Sequence, residues 1–288
     1  MAVLAYTHVD VFSSSPFSGN SLPVFTDAHG LSAEQMLRIT QELRHFEAIF
    51  LGPTAQPDCV RARVFDLFGE LPFAGHPIIG AAAVLHHASS HDDTRTWRFE
   101  LSSRTVTLTT EQTHTGFFGL LDQGAAEFFG IVNEREAFAR AFDLDQDDLH
   151  PELPLEVVST GLRYLIVPVK PDVLERARLL CDLTGALRGV GAEFAVLLDD
   201  AALELRHWNN DGIIEDIATG SAAGTIGAYR LRHRLTKPGE TFVLNQGRYT
   251  GRPSQLRVQP EGTPEIVTTV KVGGDVTLVA RGTLEVLP

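Results

Sequence analysis

Glu70-Leu71-Pro72-Phe73-Ala74-Gly75-His76-Pro77-Ile78-Ile79-Gly80 reads as a glycine-centred turn that opens an apolar helix, and the chain carries it twice. The second copy is Glu215-Asp216-Ile217-Ala218-Thr219-Gly220-Ser221-Ala222-Ala223-Gly224. Glu70 to Glu215 and Gly75 to Gly220 share an offset of 145 in a chain of 288 residues. A fixed offset near half the length marks an internal duplication.

The helices behind these turns decide the fold class. Ile78 to Leu85 and Ala222 to Ala228 are apolar on nearly every side. A helix of that kind is buried, not laid on a surface. Gly80, Gly224 and Gly227 would each cost about 1 kcal/mol against alanine in a free helix, so close packing must offset them. An α+β fold follows, with two similar lobes, each a β half-barrel wrapped around a central apolar helix. The lobes are expected at residues 1–122 and 123–288, with Gln123-Gly124-Ala125-Ala126 as linker. The last strand could pack on either lobe.

Outward from the turns, strands are expected at His8–Phe12, Leu22–Phe25, Glu47–Leu51 and Val60–Phe65, from their alternation or short apolar runs. Ser32 and Gln35 form a capping box for a helix carrying Met36, Ile39 and Leu43 on one face. Thr96–Leu101 and Thr105–Thr110 complete the first half. In the second half, strands are expected at Tyr164–Val169, Phe194–Leu198 and Leu203–Trp208. Pro171–Leu180 reads as a helix with proline in its first turn. Thr241–Asn245, Leu256–Gln259, Val267–Val272 and Val276–Arg281 read as closing strands.

Composition narrows the partners. Hydrophobic residues make up 43% and charged residues 21%, as in a soluble globular chain. A net charge of -13 argues against nucleic acid or an anionic membrane surface. The N-terminal stretch lacks a basic region followed by a long apolar run, and no run is long enough to span a bilayer. The expected compartment is the cytoplasm. Cys59 and Cys181 belong to no CxxC or Cys-His cluster, so no metal is expected and both read as reduced packing residues. No GxGxxG follows the first strand and no GxxxxGK[ST] occurs, so nucleotide cofactors do not fit and none is expected.

Chemistry concentrates at the two turns. A helix start leaves N–H groups unpaired and carries partial positive charge, so a small carboxylate is a natural guest. Gly75 and Gly220 let a ligand reach those groups, and Ser221 adds a hydroxyl. At the shared offset, Leu71 answers to Asp216, His76 to Ser221 and Glu47 to Ala192. The copies share a frame but not their ionisable groups. Glu47 opens an apolar strand, where burial would raise its pKa toward the range of a general base or acid. His76 titrates near neutrality, and Asp216 could orient it or pass a proton itself. Singly, each has a structural reading as a strand-edge charge, a helix-cap donor or a dipole partner. Together, Glu47, His76 and Asp216 suggest a cofactor-free proton-transfer site in a cleft between two lobes.

These segments, with Asp10-Val11-Phe12, Gly19-Asn20, Glu47-Ala48-Ile49-Phe50-Leu51, Gln246-Gly247 and Gly251-Arg252-Pro253-Ser254, resemble the phenazine-biosynthesis PhzF-like family, which shares the diaminopimelate epimerase fold. The resemblance covers essentially the whole chain. It implies an isomerase like that for trans-2,3-dihydro-3-hydroxyanthranilate, commonly a homodimer, with no cofactor. It implies Glu47, His76 and Asp216 as catalytic residues, and Asn20, Gly75, Gly220 and Ser221 as the substrate-binding set. Two departures stand out. Phe46 precedes the glutamate where the family often has serine, and Ile217 replaces proline after Asp216. Thiol epimerases of this fold carry cysteine where this chain has Ala74 and Thr219, so a two-thiol reaction is excluded on residue chemistry. An epimerase or tautomerase of another small carboxylate in secondary metabolism, or a non-catalytic binding protein, remain the alternatives.

Overall fold

Two stretches of the chain pair their strands in the same order of directions. The computed structural model describes residues 3–56, 58–73, 75–89 and 93–288; Ala74 lies outside them. One compact unit comprises Met1–Asp122 with Gly273–Pro288, the other Gln123–Val272.

The first unit holds β1 (Leu4–Val11), β2 (Asn20–Phe25), α1 (Ala33–Leu43), β3 (Glu47–Pro53), β4 (Val60–Asp66) and β5 (Glu70–Leu71). It continues with α2 (Gly75–Ser89), β6 (Thr94–Glu100), β7 (Thr105–Gln112) and β8 (Phe117–Asp122). β1 and β2 are antiparallel, β2 and β3 parallel, β3 and β4 antiparallel. β4 then pairs antiparallel with β5 and parallel with β6, and β6 antiparallel with β7.

The second unit begins with β9 (Glu127–Val132), α3 (Arg135–Ala141), β10 (Leu155–Ser159), β11 (Arg163–Val169) and α4 (Thr184–Gly189). β12 (Phe194–Asp199), β13 (Glu204–Trp208), β14 (Glu215–Asp216) and α5 (Gly220–Arg232) follow. β15 (Phe242–Gln246), β16 (Ser254–Gly262) and the long β17 (Val267–Leu284) close the chain. From β10 to β16 the directions repeat those of β1 to β7: antiparallel, parallel, antiparallel, then an antiparallel and a parallel partner for β13. The duplication read from the two turns is therefore a duplication of topology.

Each central helix is buried on all sides. In α2 every residue from Gly75 to Val84 is buried, and the helix packs on β1, β2, β3, β7 and β8. A Cβ on Gly80 would lie 2.6 Å from Leu22 Cδ2, and one on Gly227 of α5 would lie 2.6 Å from Val258 Cγ1. Strands approach these helices only because the glycines carry no side chain. α1 forms as its capping box demands, with the Ser32 side chain accepting from Gln35 N–H and the Gln35 side chain from Ser32 N–H.

Several expectations change. Pro171–Leu180 is a run of turns, not a helix. Its carbonyls at Leu174 and Ala177 accept from the Arg206 guanidinium, and Arg178 and Leu180 donate backbone N–H groups to Phe142 and Ala141. The helix of this region is α4. The strands expected at Val267–Val272 and Val276–Arg281 are one strand, β17. Its later part pairs antiparallel with β1 from Leu4↔Leu284 to Val11↔Val276, which assigns Gly273–Pro288 to the first unit. Gln123 is no free linker: it is buried, donating to the Gly220 carbonyl and accepting from Thr160. Cys59 is buried, but Cys181 is exposed and so is not a packing residue. No helix among the described residues is long and apolar enough to cross a membrane.

Candidate active site

The approach to each turn is tied by the same arginine–glutamate fork. Arg63 on β4 donates Nε–H and Nη2–H to the two oxygens of Glu70 on β5, at 2.9 and 2.6 Å. Arg206 on β13 does the same to Glu215 on β14, at 2.8 and 2.6 Å. A bidentate pair fixes direction as well as distance, so each two-residue strand enters its helix at a set angle. Arg206 is further stacked between Trp208 and Tyr249, with its guanidinium 4.4 Å from each ring centre.

In the first unit the fork leads to α2, whose first residues are Gly75 and His76. Glu47 opens β3. His76 Nδ1 lies 3.7 Å from Glu47 Oε2, with the two residues only 5% and 8% exposed. A carboxylate that deep is costly unless paired, and an imidazole is a partner that can exchange a proton with it. Asn20 begins β2 opposite Val11 and is buried.

The second unit carries different chemistry on the same frame. Asp216 ends β14, buried, with Oδ2 accepting from Thr219 Oγ1–H at 2.5 Å and Oδ1 from Ala218 N–H at 3.4 Å. Thr219 is the N-cap of α5, yet its side chain makes no cap hydrogen bond to that helix. Gln246 on β15 clamps the turn. Its amide nitrogen donates to Asp216 O and Thr219 Oγ1, and its amide oxygen accepts from Thr219 N–H. Gly220 starts α5, and Ser221 after it shares a 2.8 Å hydrogen bond with Tyr164.

Strand register refines the comparison of the copies. Val64 pairs with Ile49 and Leu71, and His207 pairs with Val196 and Asp216. Leu71 thus answers to Asp216, as expected. Glu47, two residues before Ile49, answers to Phe194 and not to Ala192, because the connections between paired strands differ in length. The apolar pair Val64–Leu71 of one unit is His207–Asp216 in the other.

His207 was not singled out from sequence, although the alternation of Leu203–Trp208 places it on an inward face. Its Nδ1 meets the Ala195 carbonyl at 2.8 Å, so that nitrogen carries hydrogen. Burial pushes its pKa below the usual histidine value, with the Asp216 carboxylate opposing that shift. Tyr164 and the Gln246 clamp were likewise not foreseen, though Gln246 lies in a quoted motif. No cluster of three or more His, Cys, Asp or Glu suited to a metal occurs among the described residues.

A buried carboxylate–imidazole pair beside one helix start, and a serine-bearing start beside a clamped aspartate, belong to acid–base enzymes. The comparisons agree: this is an enzyme of the isomerase class. Residues 9–282 match the phenazine biosynthesis-like protein family (PhzC-PhzF), and the chain belongs to that family. It is 30% identical to the trans-2,3-dihydro-3-hydroxyanthranilate isomerase of Pseudomonas aeruginosa, over 96% of this chain and 98% of that protein. It is 33% identical to the uncharacterized isomerase YddE of Escherichia coli O157:H7, over 91% and 92%. Among solved structures, a predicted epimerase from Pseudomonas aeruginosa, PA4716, shares 46% identity with a TM-score of 0.93, over 98% and 99% of the two chains.

Proposed function

We propose that this isomerase moves a proton on a small carboxylate substrate with its own side chains, Glu47 acting first as base and then as acid. The observation that carries the reading is the buried Glu47–His76 pair at 3.7 Å. Glu47 takes a proton from substrate carbon and returns it to another carbon, while His76 shares the proton in between. Thr219 and Ala218 hold Asp216 in one orientation, from which it assists the transfer. The N–H groups at the start of α5, with Ser221, hold the substrate carboxylate, and Gly75 and Asn20 contribute to binding. The Thr219 side chain does not cap those N–H groups: its hydroxyl donates to Asp216 and accepts from Gln246 instead.

Trans-2,3-dihydro-3-hydroxyanthranilate, named for the relative at 30% identity, is the first substrate to try. We also propose a homodimer working in phenazine-type secondary metabolism in the cytoplasm, which sedimentation, genomic context and cell fractionation would check. Glu47→Gln keeps the shape and removes the base. Solvent deuterium should enter substrate with the wild type and at least about a hundredfold more slowly with the variant, the lower range of general-base effects. Equal exchange in a folded variant rejects the assignment. Phe46, half-buried directly before Glu47, favours a second reading in which another carbon acid is the substrate. Exchange with such an acid, and none with the dihydro compound, would select it.

A further inference from the structure

We infer that Tyr164 is a positioning residue for substrate binding: its phenol fixes the Ser221 hydroxyl as a donor toward the substrate carboxylate. This rests on the proposal above that the start of α5 holds that carboxylate.

Tyr164 lies on β11, is 2% exposed, and places its hydroxyl 2.8 Å from Ser221 Oγ. Its ring is held on two sides, 5.3 Å from Phe194 and 5.5 Å from His207 between centres. Ser221, the second residue of α5, is only half-buried. A buried tyrosine hydroxyl needs a partner, and the direction of this bond has a consequence. A phenol is a far stronger acid than an alkyl hydroxyl, so Tyr164 is the better donor and Ser221 the better acceptor. Ser221 then retains its own hydrogen for a third group. Were Ser221 the donor to Tyr164, it would turn only lone pairs toward an anion at the helix start.

The duplication supports the same division. Position 221 answers to His76, and Phe194 answers to Glu47. Where the first unit sets a carboxylate beside its helix start, the second sets an apolar ring, which brings no negative charge to compete with a bound anion. Both carboxylates at the second turn are engaged: Asp216 accepts from Thr219 and Ala218, and Glu215 from Arg206. The first turn thus carries the Glu47–His76 proton pair and the second the Ser221 donor to the anion, with Tyr164 as the group behind that donor.

Anthranilate is a suitable probe, a stable aromatic carboxylate related to the substrate of the named relative. Its Kd, measured by calorimetry, should rise about fivefold in Tyr164→Phe and about tenfold in Ser221→Ala, the range of single hydrogen bonds to charged or orienting groups. The double variant should bind no worse than Ser221→Ala, because Tyr164 acts on the anion through Ser221. With a turned-over substrate, Tyr164→Phe should raise KM by a similar factor and change kcat less than about twofold, as removal of uniform binding does. Ser221→Thr keeps a hydroxyl for Tyr164 to hold and should bind anthranilate more tightly than Ser221→Ala, a comparison that needs no Tyr164 variant; equal weakening in both would overturn the role of the oriented hydroxyl. Additive losses in the double variant, an unchanged Kd in Tyr164→Phe, or a fall in kcat at constant KM would overturn the role of Tyr164 and leave the carboxylate reading standing. Failure of Ser221→Ala to weaken anthranilate, or no binding by the wild type, would overturn both.

Discussion

His207 shows how much one buried side chain can report. Its neutral form donates from Nδ1 to the Ala195 carbonyl, and burial holds its pKa below the ordinary value. The groups that face it are Asp216 across the strand pair, Glu215 beside that, and the Tyr164 and Phe194 rings. A histidine with a depressed pKa is neutral in the fold while the unfolded chain binds a proton more readily. Its contribution to stability is therefore complete above the unfolded value and is lost as pH falls through the folded one. Thermal melts across that window should show a loss in the wild type that His207→Phe lacks. Asp216→Asn should deepen the loss, because the aspartate charge is the largest of the influences that oppose the burial effect on the His207 pKa. A melting profile unchanged by both variants would contradict this electrostatic account. The residue escaped sequence reading because one histidine in an alternating strand looks like any inward-facing position. Only register shows that it stands opposite Asp216.

Short elements carry the orientation of the helices, and the two arginine–glutamate forks are their hinges. They look alike but differ in burial. The Arg206 and Glu215 side chains are 3% and 14% exposed, against 27% and 30% for Arg63 and Glu70. Removing one partner of a buried pair strands the other charge and costs about 3–5 kcal/mol. An exposed pair is worth at most about 1 kcal/mol. Arg206→Ala should therefore lower stability by several kcal/mol in denaturant titration, and Arg63→Ala by about 1 kcal/mol at most; equal losses would mean that burial does not set the difference. Arg206 also explains an element that sequence misjudged. Pro171–Leu180 has the composition of a helix, but this guanidinium claims the Leu174 and Ala177 carbonyls that helix bonds would use. Such a tertiary competitor is invisible in a local window. The glycine turns, the apolar helices and the capping box were legible because each is a local signal. β9, β10 and α4 were not, since their apolar residues follow no clear period.

At the scale of the whole chain, the duplication was legible from two matched turns, but the allegiance of the last strand was not. Val267–Val272 and Val276–Arg281 read as separate strands because Gly273-Gly274 interrupts the apolar run, and nothing local names their partners. In the fold they are one strand, and its second part completes the first unit. Eight residues of β1 pair with it, Ser13 N–H donates to the Asp275 carbonyl at 3.1 Å, and Thr277 Oγ1–H donates to the Ser13 carbonyl at 2.9 Å. Leu284 and Leu287 also pack on the cluster of Leu4, Phe25, Met36 and Phe50 beneath α1. A chain ending at Val272 would leave β1 with unpaired backbone groups on that side and uncover part of this core. Every element that pairs from β9 to β16 would remain. Hydrogen exchange on the truncated chain should then show protection lost from Leu4–Asp122 and largely kept across β10–β16. The asymmetry follows from DNA-encoded order meeting spatial order: the last sixteen residues belong to the unit that was made first. Equal loss of protection in both units would show instead that the second unit cannot hold its fold without the first.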